Sequence, residues 1–194
     1  MNDSISQVNI IQINLQHAKA SSTLLAADLA RLHTPLALIQ EPYVHNSKIL
    51  GFEQSTDTNL IYDTSHNRPR VCIAIDRKLV FHELPQFTNQ DLVAVKGKFS
   101  GLAHNNFCVI VSLYLPFDKI DPISESLQCI TDYCETHNLP LFIGCDANAH
   151  NTVWGSSNTN ARGIKLLEFI ASKNLLILND GDEPTFVTTH RREV

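Results

Sequence analysis

Leu139-Pro140-Leu141-Phe142-Ile143-Gly144-Cys145-Asp146-Ala147-Asn148-Ala149-His150 is the stretch on which the reading of this chain turns. An apolar run stops abruptly at an Asp-x-Asn pair. Side chains along a strand alternate sides, so Asp146 and Asn148 project the same way if the extended path continues past Gly144. A carboxylate beside a carboxamide at the end of a buried strand suits phosphoryl chemistry. The Asp can hold a divalent cation or take a proton from water, and the Asn can donate to a phosphate oxygen. Taken alone, the pair is more simply turn chemistry, since Asp and Asn are the commonest turn residues.

Partners for that pair occur in a fitting order along the chain. Val8-Asn9-Ile10-Ile11-Gln12-Ile13-Asn14-Leu15 reads as a strand ending in Asn14. Leu36-Ala37-Leu38-Ile39-Gln40 ends in Glu41-Pro42, and Cys108-Val109-Ile110-Val111-Ser112-Leu113 leads to Tyr114-Leu115-Pro116. Four strand ends thus carry Asn14, Glu41, Tyr114 and the Asp146/Asn148 pair.

Between these strands the chain alternates with helices. Ser22 or Thr23 can cap a helix to Leu32 with Leu25, Leu29 and Leu32 on one face, stopped by Pro35. Val71–Ile75 is a strand ending in the charged turn Asp76-Arg77-Lys78. From Val93 to Phe99 apolar and polar residues largely alternate, the pattern of a sheet face open to water. Asp121-Pro122 is a helix start, with Ile123, Leu127, Ile130 and Cys134 on one stripe. Gly163 opens another helix, with Leu166, Leu167 and Ile170 inward, before a strand Leu175–Leu178. Strands joined by short turns, mixed with a few helices, do not make a strictly alternating doubly wound sheet. The expected class is α/β, with an α+β-like layout of two packed mixed β-sheets flanked by helices. One domain is expected over residues 1–194.

Composition narrows the class without fixing the substrate. The 194 residues are 43% hydrophobic, enough for a real core without staples. No apolar run reaches the roughly 20 residues that span a bilayer, and Met1-Asn2-Asp3-Ser4 lacks the layout of a signal peptide. The expectation is an intracellular protein with no membrane partner. The five cysteines match no zinc spacing and read as buried free thiols. With 15 Lys+Arg against 20 Asp+Glu the net charge is −5, whereas DNA binders usually carry a basic excess. A nuclease needs only a local basic rim, for which Arg68, Arg70, Lys96, Lys98, Arg191 and Arg192 are candidates or merely solvated charge.

Taken together, these ordered motifs resemble the endonuclease/exonuclease/phosphatase superfamily. Within it the chain is similar to the apurinic-endonuclease-like domain of non-LTR retrotransposons, arthropod-type branch. Gln12-Ile13-Asn14-Leu15-Gln16-His17-Ala18, Ile39-Gln40-Glu41-Pro42-Tyr43 and Gly144–His150 carry the resemblance. Val153-Trp154-Gly155, Asn160-Ala161-Arg162-Gly163 and Pro184-Thr185-Phe186 extend it over nearly the whole chain. It implies a four-layer sandwich and a DNA endonuclease dependent on Mg²⁺, with Mn²⁺ as an alternative. The enzyme would nick double-stranded target DNA in the nucleus to prime a reverse transcriptase domain of the full-length element.

The resemblance also implies roles. Glu41 would be the main metal ligand, with Asn14 beside the metal. Asp146 would orient or deprotonate the attacking water, Asn148 would steady water or phosphate, and Tyr114 would donate its hydroxyl to phosphate. Each has a plain alternative: a turn carboxylate before Pro42, strand-end or turn asparagines, a core-edge aromatic. His150, Arg162 and Thr185 are placed like residues that contact nucleic acid. An exposed loop His, an Arg paired with a carboxylate and a strand Thr are the corresponding plain readings. Trp154 could stack on a base or anchor its loop.

One departure matters. Complete members continue into a strand bearing an Asp and then a Ser-Asp-His that ends in the catalytic histidine; no Ser-Asp-His occurs here. The expectation is a domain incomplete at its C-terminus, its last strands missing, and weakly active or inactive. Two other readings stay open: a catalytically dead remnant or nucleic-acid-binding fragment, and a phosphatase of the same superfamily acting on a lipid or inositol phosphate.

Overall fold

Two apolar strands bound by helix crossovers set the frame. The computed structural model describes residues 8–32, 36–53, 55, 57–98, 107–179, 186–187 and 192–193. Pro35 and Thr185 lie outside them, as do His190 and Arg191. Strand β1 (Ile10–Asn14) runs through helix α1 (Lys19–Arg31) into β2 (Leu36–Gln40), and the two strands pair in parallel. A parallel pair needs such a crossover, because a tight turn cannot reverse the chain twice. Further on, β9 (Phe107–Tyr114), helix α2 (Glu125–Thr136) and β10 (Leu141–Asp146) repeat the arrangement.

Antiparallel strands complete each sheet. The first has the order β1-β2-β6-β5, with β5 (Thr58–Ile61) and β6 (Val71–Asp76). The second has the order β10-β9-β8-β7, with β7 (Phe81–Glu83) and β8 (Leu92–Lys98). Short hairpin strands β3 (Val44–His45) and β4 (Lys48–Ile49) decorate the first sheet's connections. Both sheets are mixed, as the sequence predicts. They belong to one compact unit formed by residues 1–114 and 126–146.

Alternation explains how the layers stack. Leu36 and Leu38 of β2 and Ile73 and Ile75 of β6 meet Val93, Val95 and Ile110 in one core between the sheets. The intervening Ala37, Ile39, Cys72 and Ala74 face outward and are covered by Leu25 and Leu29 of α1. β2 is therefore buried on both faces, as its unbroken apolar sequence requires. Leu127, Ile130 and Cys134 of α2 are also buried.

Several sequence expectations need correction. Helix α1 starts at Lys19, not at Ser22 or Thr23, and Leu32 lies half-exposed beyond its end. Ser22 instead sits buried on the second turn, its hydroxyl donating to the Ala18 carbonyl and accepting from the Tyr43 N–H. Asp121 does not open α2; its carboxylate accepts from the Ile123 N–H in a local turn, and the helix begins at Glu125. β8 is not open to water: Leu92 to Val95 are fully buried, because that sheet too is covered on both sides. Cys129 is exposed, unlike the other thiols.

A second compact unit holds residues 115–125 and 147–194. It contains α3 (Ala161–Ser172) and the two-stranded pair β11 (Phe186–Val187) and β12 (Arg192–Glu193). Asn160 caps α3 by accepting from the Gly163 N–H at 2.8 Å, so the helix opens two residues before Gly163. Leu175–Leu178 is not a strand; Leu176 and Leu178 are exposed and no neighbouring strand pairs with them among the described residues. No helix among the described residues is long and apolar enough to cross a membrane.

Candidate active site

The C-terminal ends of β1, β2, β9 and β10 deliver the predicted residues. Register places Asn14 opposite Gln40, next to Glu41, and places Asp146 opposite Tyr114. Across this edge of the two sheets the Asn14 side-chain amide donates to an Asp146 carboxylate oxygen at 2.5 Å. The Asn14 side-chain oxygen accepts the Gln16 N–H at 2.7 Å, which turns the chain into the segment before α1. Both ends of the Asn14 carboxamide are thus held, and the carboxamide fixes the Asp146 carboxylate in turn.

Glu41 is positioned by its backbone. Its N–H donates to the Arg70 carbonyl at 2.8 Å and its carbonyl accepts the His17 N–H at 2.8 Å. Its side chain remains 21% exposed, with His17 Nε2 3.9 Å from one carboxylate oxygen. The His17 Nδ1 lies 3.3 Å from the Pro42 carbonyl, which orients the ring. Gln16 (φ 50°), His17 (φ 55°) and Glu41 (φ 48°) all hold left-handed backbone without being glycine. Each such residue costs on the order of 1–3 kcal/mol, and such strain gathers where geometry serves function.

Arg70 binds the remaining members together. Its guanidinium lies over the Tyr114 ring, 5.3 Å from the centroid, and forms a bidentate pair with Asp91. The Asp91 carbonyl accepts the Tyr114 N–H. Arg70, read from sequence as a rim candidate, is therefore engaged inside the site, and Lys96 sits over the Phe107 ring. Arg70 and His17 are site residues that sequence reasoning did not single out for these places. His17 follows the Asn14 motif directly, and that adjacency was the available signal.

In the second unit the Asn160-Ala161-Arg162-Gly163 stretch organises the loop after the Asp-x-Asn pair. Arg162 donates to the carbonyls of Asn148 (3.0 Å), Ala147 (3.3 Å), Leu115 (3.4 Å) and Lys119. Asn148, itself at φ 46°, donates its side-chain amide to the Leu115 carbonyl. The His150 N–H donates to the Asn160 side chain, and its carbonyl accepts the Asn160 N–H. A Cβ at Gly163 would run into that His150 carbonyl, its carbon only 2.6 Å away, so the position has no room for a side chain. Trp154 anchors the same loop by donating its indole N–H to the Ala149 carbonyl.

Glu41 offers partly exposed carboxylate oxygens, the hard donors that a cation such as Mg²⁺ takes, whereas the Asn14 side-chain oxygen already accepts the Gln16 N–H; no cluster of three His, Cys, Asp or Glu residues that could hold a metal occurs among the described residues. Mg²⁺ is commonly held by one or two carboxylates and keeps several waters.

Comparison with known proteins places this arrangement. Residues 108–194 match the model of a family described as endonuclease-reverse transcriptase. No curated protein matches. Among solved structures the chain is similar to the endonuclease domain of TRAS1, a telomere-specific non-LTR retrotransposon. The two share 31% identity with a TM-score of 0.78, over 96% of this chain and 80% of that one. It is also similar to a humanized D. rerio TDP2 at 12% identity and a TM-score of 0.52, over 80% of this chain and 69% of the other, a likeness of fold alone. The chain belongs to the endonuclease/exonuclease/phosphatase superfamily, among the endonuclease domains of non-LTR retrotransposons.

Proposed function

We propose that this chain hydrolyses a phosphodiester of double-stranded DNA with Mg²⁺ or Mn²⁺. It would nick target DNA in the nucleus to provide a 3′-hydroxyl for a reverse transcriptase domain of the same element. The observation that carries the reading is the Asn14–Asp146 hydrogen bond at the strand ends beside Glu41. The family membership supports DNA as the substrate class.

Glu41 and Asn14 are the residues that would hold the ion. When bound, Mg²⁺ would supply positive charge against the charge that develops on phosphate and leaving group. Asp146, its carboxylate held by Asn14, accepts a proton from water as the water oxygen bonds to phosphorus. The P–O3′ bond breaks, its electron pair stays on O3′, and that oxygen takes up a proton. Asn148 steadies the phosphate or the water, and the Tyr114 hydroxyl donates to a phosphate oxygen. His150, Arg162 and Thr185 are assigned to the DNA side by resemblance; for Arg162 the carbonyl contacts support a role in shaping the loop as well.

A chain that binds DNA without turnover is the second reading. End analysis of the product tests the proposal. A nick that a DNA polymerase extends without prior phosphatase treatment supports it, and a nick ending in 3′-phosphate refutes it. A chain that retains DNA yet never nicks it in Mg²⁺ or Mn²⁺ favours the second reading.

A further inference from the structure

A polar layer lies between the two sheets next to the site. Gln40 is fully buried, and its Oε1 accepts from Gln12 Nε2 at 2.6 Å. Its own Nε2 donates to Ser112 Oγ at 3.0 Å and to the Gly144 carbonyl at 3.2 Å. Ser112, also fully buried, donates its hydroxyl to the Ile39 carbonyl at 3.1 Å. The layer therefore takes one residue from each of β1, β2, β9 and β10 and joins the two sheets.

Its placement follows the site residue by residue. Gln12, Ser112 and Gly144 stand two positions before Asn14, Tyr114 and Asp146, and Gln40 stands one before Glu41. Residues two apart share a face of a strand, so Gln12, Ser112 and Gly144 lie roughly 7 Å behind the site residues of their own strands, while Gln40 stands level with Asn14 in the register of the first sheet. Gly144 lets the strands come together there. A Cβ on it would lie 2.6 Å from Leu38 Cδ1 and 3.0 Å from Gln12 Cγ.

Stability alone does not account for such a layer. A buried hydrogen bond contributes only about 0.5–1.5 kcal/mol net, and well-packed apolar groups serve as well. What a satisfied polar network adds is a single permitted arrangement, because any slippage strands a buried donor or acceptor. An apolar interface between these sheets could shift along the strands. This one cannot shift without breaking the Gln40 contacts.

We infer that Gln40 is a positioning residue: through the Gln12–Gln40–Ser112–Gly144 layer it fixes the register of the two sheets and so the setting of Glu41 and Asn14 against Asp146. The inference rests on the roles given to those residues above. Groups behind a metal ligand typically alter affinity or activity about 10–100-fold when removed.

Three proteins decide it: wild type, Gln40→Met, which keeps length and loses every polar atom, and Leu29→Ala as a destabilised control on the outer face of the first sheet. The first readout needs neither metal nor DNA. In ¹H–¹⁵N spectra the Asn14 side-chain amide should move toward free-amide values in Gln40→Met and stay in place in Leu29→Ala. The second is Mn²⁺ binding followed by electron paramagnetic resonance, expected to weaken about 10–100-fold in Gln40→Met only. In nicking, kcat should fall with KM for DNA little changed. Should Gln40→Met not fold, Ser112→Ala takes its place, with the same signs and smaller shifts. An Asn14 amide unmoved by the substitution, or moved equally by Leu29→Ala, overturns the inference. If wild type neither binds Mn²⁺ nor nicks, the proposed function fails, while the amide resonance still decides the positioning role.

Discussion

Asn14 on β1 donates its side-chain amide to Asp146 on β10 at 2.5 Å, a contact that links the two sheets through residues 132 apart in sequence. Everything proposed for catalysis depends on it, because it sets the carboxylate expected to take the proton from water.

Replacing the donor by a second acid gives a prediction with a sign. In Asn14→Asp two carboxylates face each other, so the folded-state pKa of the pair rises above its unfolded value. A raised acid is favourable when protonated, so stability is greatest below the unfolded value of about 4 and falls as pH rises from there through the raised value of the folded pair. Denaturant midpoints of Asn14→Asp should drop across that window, while those of Asn14→Ala should show no such slope. A flat profile for Asn14→Asp would mean that the two groups do not meet in solution.

Arg162 should act on the loop and not only on DNA. With its guanidinium spread over the carbonyls of Asn148, Ala147, Leu115 and Lys119, Arg162→Ala leaves several acceptors without their donor. A loss of about 1–3 kcal/mol is expected, measured by urea unfolding. Arg162→Lys should recover little, because one ammonium cannot reach the fork of carbonyls that a planar guanidinium spans. Full recovery by Lys would reduce Arg162 to a plain positive charge.

The thiols should separate by exposure. Burial pushes the Cys108 thiol up to about 11 and the Cys134 thiol up to about 12, and burial raises Cys72 as well. Cys129 is exposed. A thiol reagent at neutral pH should label Cys129 first and reach Cys72, Cys108 and Cys134 only on unfolding. Prompt labelling of Cys72 would show that α1 does not cover the first sheet.

What the sequence discloses is what one strand can carry by itself. The apolar runs ending at Asn14, Gln40, Tyr114 and Asp146 are legible because each is a local pattern with a polar stop. Helix starts are less so: Ser22 has the chemistry of a cap, yet its hydroxyl is turned onto the Ala18 carbonyl inside the helix. The face of β8 misleads because alternation tells which side is polar, not whether a neighbouring layer covers it. Leu175–Leu178 has the composition of a strand but finds no partner among the described residues. Gln40 and Ser112 look like interruptions in apolar runs, since the bonds that tie them to the opposite sheet join residues 72 and more apart. Arg162 likewise shows a charge in the sequence and four carbonyls only in the fold.

Nicking of supercoiled plasmid by wild type and Glu41→Ala, with Mg²⁺ and with EDTA, tests the central claim most directly. Wild type should yield open circles only with Mg²⁺, and Glu41→Ala, folded by circular dichroism, should lose at least about 10²-fold in rate. Equal nicking in EDTA, or a Glu41→Ala protein as fast as wild type, would contradict the account.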